Sequence, residues 1–255
     1  AWLHEGGGGF HNNGAIYHWN KSLIEGLDVA DPKVRVFDQC RIGPILTGDQ
    51  DDLKGGPPVA ALFIQNMNPV QVAPEQRKVK AGFAREDLFT CVHEQFMTAT
   101  AKMADIVLPA TMFLEHDDVY QGGGHQYIML GPKLLDPPGE CWSNHDVICA
   151  LAKRVGAEHP GFAKTPREII DWTLQKSGWG TLAELEAGKW IDCQPEFDTA
   201  HYIEGFGYPD KKFRFKPDWS NIPAPRSNGI RIERDVPRLP DHWDVIENAD
   251  AKHPF

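Results

Sequence analysis

Apolar residues between positions 59 and 109 fall into short runs and spaced pairs that predict alternating strands and helices. Residues 59–64 form an uninterrupted apolar run of strand length, the pattern of a strand buried on both faces of a parallel sheet. Asn66-Met67-Asn68-Pro69 follows as a loop, because Asn before Pro disfavours helix. A helix is predicted to open near Pro74, with Glu75 in its first turn and Val79 and Phe83 four apart on one face. Residues 88–92 predict a second strand, 98–104 a brief helix, and 106–108 a third strand stopped by Pro109. Strand, helix, strand, helix, strand is a βαβαβ unit with right-handed crossovers. The fold class is therefore α/β, a Rossmann-like parallel sheet with flanking helices.

Outside this core the signals thin. Residues 34–37 predict one strand upstream, and a turn-rich loop closes at Gly55-Gly56-Pro57-Pro58. Downstream, apolar residues at 147, 148, 151 and 155 predict a helix over 146–155, with Gly156 placed as its C′ glycine. Thr165-Pro166-Arg167-Glu168 and Thr181-Leu182-Ala183-Glu184 are capping boxes, opening helices that end before Gly178 and Gly188. Residues 213–215 alternate and predict a strand, and prolines from Pro217 onward predict an irregular C-terminal extension. The chain divides into a Gly-rich opening segment (1–58), an α/β core (59–157), and a helical and extended tail (158–255).

Composition narrows the partners. The 255 residues are 41% hydrophobic and 24% charged with a net charge of −10, ordinary for a globular protein except for the acidity. No basic run large enough to track a phosphate backbone occurs, which argues against nucleic acid. No window approaches an uninterrupted apolar span, so no membrane segment is predicted, and Ala1-Trp2-Leu3-His4-Glu5 has no signal-peptide pattern. Five scattered cysteines without a CxxC give no metal-ribbon or cubane signature and suit a reducing cytoplasm, with a periplasmic location left open.

In an open parallel sheet, ligands sit beyond the carboxyl ends of the strands. That rule puts Asn66-Met67-Asn68-Pro69 and His93-Glu94-Gln95 on one rim. A carboxylate such as Glu94 can accept from both N1–H and N2–H₂ of guanine, a pairing other common bases do not offer in that form. Thr98 could cap the next helix and present its hydroxyl to the same ligand; a solvated loop acid and an ordinary helix cap account for the same two residues. The glycine runs 6–9 and 122–124 suit either close backbone approach or flexibility. Glu115-His116-Asp117-Asp118 reads as an acidic turn, since adjacent residues cannot all face one metal ion. No GxSxG, HExxH or P-loop is present.

Read as a string, residues 59–157 resemble the molybdopterin oxidoreductase family, which includes dimethyl sulfoxide reductases, formate dehydrogenases and nitrate reductases. The carrying segments are Asn66-Met67-Asn68-Pro69, then His93-Glu94-Gln95-Phe96-Met97-Thr98-Ala99-Thr100-Ala101, then Ala104-Asp105-Ile106-Val107-Leu108-Pro109. Leu114-Glu115, Pro138-Gly139-Glu140 and Lys153-Arg154-Val155-Gly156 follow in order. The family often has Thr-Glu-Thr where this chain has Thr98-Ala99-Thr100. The resemblance implies a large oxidoreductase carrying molybdenum, or tungsten, on two molybdopterin guanine dinucleotides. It implies cofactor contacts at Asn66, Asn68, Glu94 and Thr98, with Asp105 bracing the fold, and no catalytic or metal-ligating residue within this chain. The metal ligand, any iron–sulfur cluster and a C-terminal β-barrel are then expected in remaining domains of a parent enzyme. The chain is read as an internal fragment, inactive alone, that holds one guanosine arm. A stand-alone guanine-nucleotide-binding protein and a non-catalytic structural subunit are the other readings.

Overall fold

The computed structural model describes residues 16–26 and 28–216. The glycine run at 6–9 and the extension from Pro217 lie outside the described residues. Two units divide the chain, one built on Asp31–Ala110 and the other on Thr111–Phe213 with the described part of 1–30. The segment 59–157 contributes to both, dividing after Ala110.

The first unit holds α1 (Ile42–Leu46), β1 (Ala61–Gln65), α2 (Pro69–Val72), α3 (Gln76–Phe83), β2 (Phe89–Glu94), a 3₁₀ turn (Ala101–Met103) and β3 (Ile106–Pro109). Its strands form a parallel sheet in the order β1-β2-β3. Asp105 ties the second crossover down, accepting from the Thr90 N–H at 2.6 Å while its own N–H reaches the Thr90 carbonyl at 2.9 Å.

Ile64 and Val92 pack on Leu46, Val79 and Phe83 in one buried cluster, so the spacing of Val79 and Phe83 does mark the inner face of α3. The opposite sheet face is not buried as the apolar run predicted. Phe63 is 40%, Phe89 48% and Ile106 45% exposed. Right-handed crossovers between strands laid down in sequential order place both connections over one face, and on the other, among the described residues, only His93, near the carboxyl ends, is fully buried. The predicted strand at 34–37 is also absent. There the Arg35 guanidinium donates to the carbonyls of Leu53 and Pro57 and lies over the Phe37 ring, which holds the segment without a strand partner.

Helices α1 and α3 approach closely because two glycines allow it. A β-carbon on Gly43 would stand 2.9 Å from the Val79 nitrogen, and one on Gly82 would overlap the Leu46 side chain. Gly82→Ala is expected to destabilise the unit by about 1–3 kcal/mol through overpacking, read as a lowered denaturant midpoint at unchanged slope.

The second unit pairs β4 (Asp118–Gln121), β5 (Tyr127–Gly131) and β6 (Trp190–Asp192) antiparallel, with α4 (Asn144–Val155), α5 (Pro166–Ser177) and α6 (Leu182–Gly188) between β5 and β6. Ile128, Ile170, Leu174 and Leu185 form its core. Both capping boxes are present, and Gly156 terminates α4 in the left-handed region. Residues 213–215 form no strand; Phe213 instead meets the Phe206 ring edge-on. All five cysteines are free thiols, and burial pushes Cys193 up to about 11.

Hydrogen bonds from the backbone N–H and the hydroxyl of Thr165 hold Glu168 below the ordinary carboxylate range, and Thr181 does the same for Glu184. A depressed folded value means these caps stabilise fully above the unfolded value of about 4.3 and fail as pH falls through the folded one. The thermal midpoint of wild type is expected to drop more steeply between neutral pH and strongly acid pH than that of Glu168→Gln/Glu184→Gln.

Candidate cofactor-binding site

All four residues proposed from sequence lie in the parallel-sheet unit. Gln65 pairs with His93, so Asn66 is the first residue beyond β1 while Glu94 is the last residue of β2. Both stand at the carboxyl end of adjacent parallel strands. Asn66 turns the chain there with φ +54°, a left-handed conformation that Asn tolerates better than most side chains. The strand order contains no reversal among the described residues, so what β1 and β2 share is a common rim.

Glu94 is half-buried, and its Oε1 accepts from the Gln95 N–H at 2.7 Å. That bond orients the carboxylate, whose two oxygens carry about four lone-pair sites in all. Thr98 accepts from the Ala101 N–H at 3.1 Å, opening the 3₁₀ turn as a cap. Met67, Phe96 and Met97 on the same two loops are exposed apolar side chains.

Asn68 is engaged by the neighbouring loop. Its Oδ1 accepts from both the N–H (3.1 Å) and the hydroxyl (2.8 Å) of Thr100, and its Nδ2 donates to Gln71 at 3.0 Å. Thr100 is fully buried and its hydroxyl in turn accepts from the Val70 N–H at 3.1 Å. These bonds join the two rim loops. Sequence reasoning missed Thr100; the only signal was a second threonine two residues after Thr98.

Beneath the rim, His93 is fully buried and its Nδ1 lies in hydrogen-bond contact with Gln65 Nε2 at 3.1 Å, tying together the paired ends of β1 and β2. Burial pushes the Cys91 thiol up, so Cys91 is a packing residue of β2 and not a ready nucleophile. The acidic stretch at 115–118 serves the fold piecewise: Glu115 accepts from the Met112 N–H, and Asp117 accepts from the Lys133 N–H and pairs with Arg167. Among the described residues no group of three or more His, Cys, Asp or Glu is placed to hold a metal ion. No described helix is long and apolar enough to cross a membrane.

Residues 51–154, which contain the whole rim, match the family described as molybdopterin oxidoreductase. The chain belongs to the molybdopterin oxidoreductase family. Among relatives, it is 37% identical to the probable oxidoreductase YoaE of Bacillus subtilis over 72% of this chain and 26% of that protein. It is 27% identical to the periplasmic nitrate reductase of Desulfovibrio desulfuricans over 72% of this chain and 28% of that enzyme. A solved structure of acetylene hydratase from Pelobacter acetylenicus aligns over 59% of this chain and 20% of its own, with TM-score 0.48 and 26% identity. The chain thus spans about a quarter of the length of these two curated relatives.

Proposed function

We propose that this chain is the part of a molybdopterin-dependent oxidoreductase that holds the guanosine end of one molybdopterin guanine dinucleotide. Family membership supports a molybdenum–pterin cofactor; the guanosine assignment rests on the rim. The observation that carries it is a carboxylate, Glu94, oriented by a backbone N–H at the tip of a parallel strand beside Asn66.

The donor set suits that ligand. Glu94 would accept from the N1–H and N2–H₂ edge of guanine, while the exposed Met67, Phe96 and Met97 offer apolar surface to the faces of a planar base. Asn66 and Thr98 present polar groups to the ribose and phosphate side, and Asn68 stands behind them on the loop. The bound metal–pterin group supplies oxygen-atom or hydride-equivalent transfer, and this chain's share is to fix the cofactor in place. The metal ligand, the second dinucleotide and any iron–sulfur cluster are assigned to other domains of a larger enzyme.

The test is equilibrium binding of GDP, IDP and ADP to the cofactor-free form of the full-length protein. Wild type is expected to prefer GDP over IDP, which lacks the N2 amino group, by roughly tenfold, the order of one charge-assisted hydrogen bond. Glu94→Gln is expected to lose that preference. Equal binding of GDP and ADP by wild type would refute the guanosine assignment.

A further inference from the structure

The hydrogen bonds between the two rim loops have an unusual distribution. Asn68 occupies the N-cap position of α2, yet its side chain makes no capping bond. Its Oδ1 is given to Thr100 on the other loop, and the Thr100 hydroxyl takes over the cap by accepting from Val70, the second residue of α2. Each loop therefore supplies the group the other needs. The Thr100 hydroxyl is satisfied as donor and as acceptor, in full burial, by the neighbouring loop alone.

This exchange sits where the sheet can no longer hold the chain. The β1–β2 ladder ends at Gln65 and His93, and the residues proposed to meet the nucleotide follow directly on each side. Past that point the exchange among Asn68, Val70 and Thr100 joins the two loops through three bonds of 2.8–3.1 Å.

We propose that Thr100 is a positioning residue of the cofactor site, acting through Asn68 and the Val70 amide to hold the Asn66 loop in register with Glu94. This rests on the guanosine reading above and adds a residue to it. It also gives Asn68 a different role, in which its oxygen serves the neighbouring loop and not the ligand. A site whose loops are pre-set loses less freedom on binding, so undoing the exchange weakens the ligand without removing any group that touches it.

The test uses the cofactor-free full-length protein, with GDP as the probe and amide hydrogen exchange as a second readout. Thr100→Val removes the hydroxyl at nearly constant volume. Faster exchange at the Val70 amide and roughly tenfold weaker GDP binding are expected, the scale of one or two net hydrogen bonds. Thr100→Ser restores the hydroxyl and is expected to restore both. Asn68→Asp keeps the acceptor oxygens and is expected to keep the Thr100 amide protected, whereas Asn68→Ala exposes it. The Asn68→Ala/Thr100→Val double variant is expected to bind GDP no more weakly than the worse single variant, because both act on one device. Unchanged GDP affinity in Thr100→Val despite an exposed Val70 amide would overturn the proposal. So would Thr100→Ser as weak as Thr100→Val. If wild type itself fails to bind GDP, the guanosine reading falls first and this inference with it.

Discussion

Glu94→Ala in the intact enzyme is expected to empty the cofactor site, with guanine nucleotide and molybdenum per polypeptide both falling well below wild type. The carboxylate would take two parallel hydrogen bonds from the base, and such a bidentate pair contributes about 1–3 kcal/mol. Glu94→Gln is the informative companion: the amide still offers an oxygen but turns a donor toward the base, so it should fall between wild type and Ala. Acid release of guanine nucleotide followed by mass spectrometry, alongside metal analysis, checks both. The fold should survive, because Glu94 is only half-buried and its one described side-chain bond is to the next residue. Wild-type metal and nucleotide content in Glu94→Ala would contradict the account.

The second large effect concerns the platform beneath the rim. Phe83 on α3 is 4% exposed against the inner sheet face, whereas Phe89 on β2 is 48% exposed on the outer one. Phe83→Ala is expected to destabilise the parallel-sheet unit by about 3–5 kcal/mol, combining lost burial with the cavity left behind. Phe89→Ala removes the same atoms from a half-solvated position and should cost less than about 1 kcal/mol in this chain. Urea unfolding followed by amide exchange in β1 and β2 separates the two. A similar cost for both would mean that the outer sheet face is covered.

Much of this arrangement was readable from local pattern. The run at 59–64, the pair Val79 and Phe83, and the capping boxes at Thr165 and Thr181 each encode an element through spacing or terminal chemistry, and each element forms. The burial of one sheet face was not readable. An apolar run says that a strand can be buried on both sides, but which side gains a partner depends on where the connections pass. Of the antiparallel sheet, β4 and β5 form a hairpin around the glycine run at 122–124 that was read only as close approach or flexibility, and β6, only three residues long, pairs with β5 across about sixty intervening residues. No local rule registers such a pairing.

The positions of the candidate site residues in the fold were legible unevenly. Asn66 and Glu94 follow from the strand-end rule alone, since both are defined by where an apolar run stops. Thr100 was invisible for the opposite reason. It looks like any small polar residue in a loop, and the role proposed for it comes from a neighbour thirty-two positions earlier, to whose oxygen its hydroxyl donates. For Asn68 the sequence shows a polar side chain on the rim loop but not that its oxygen reaches Thr100.

The most direct measurement is an experimental structure of the full-length protein with its cofactor bound. The account predicts one guanine ring beyond the tips of β1 and β2, with its N1 and N2 each within about 3.2 Å of a Glu94 oxygen. A guanine bound elsewhere, with Glu94 turned to solvent, would contradict it.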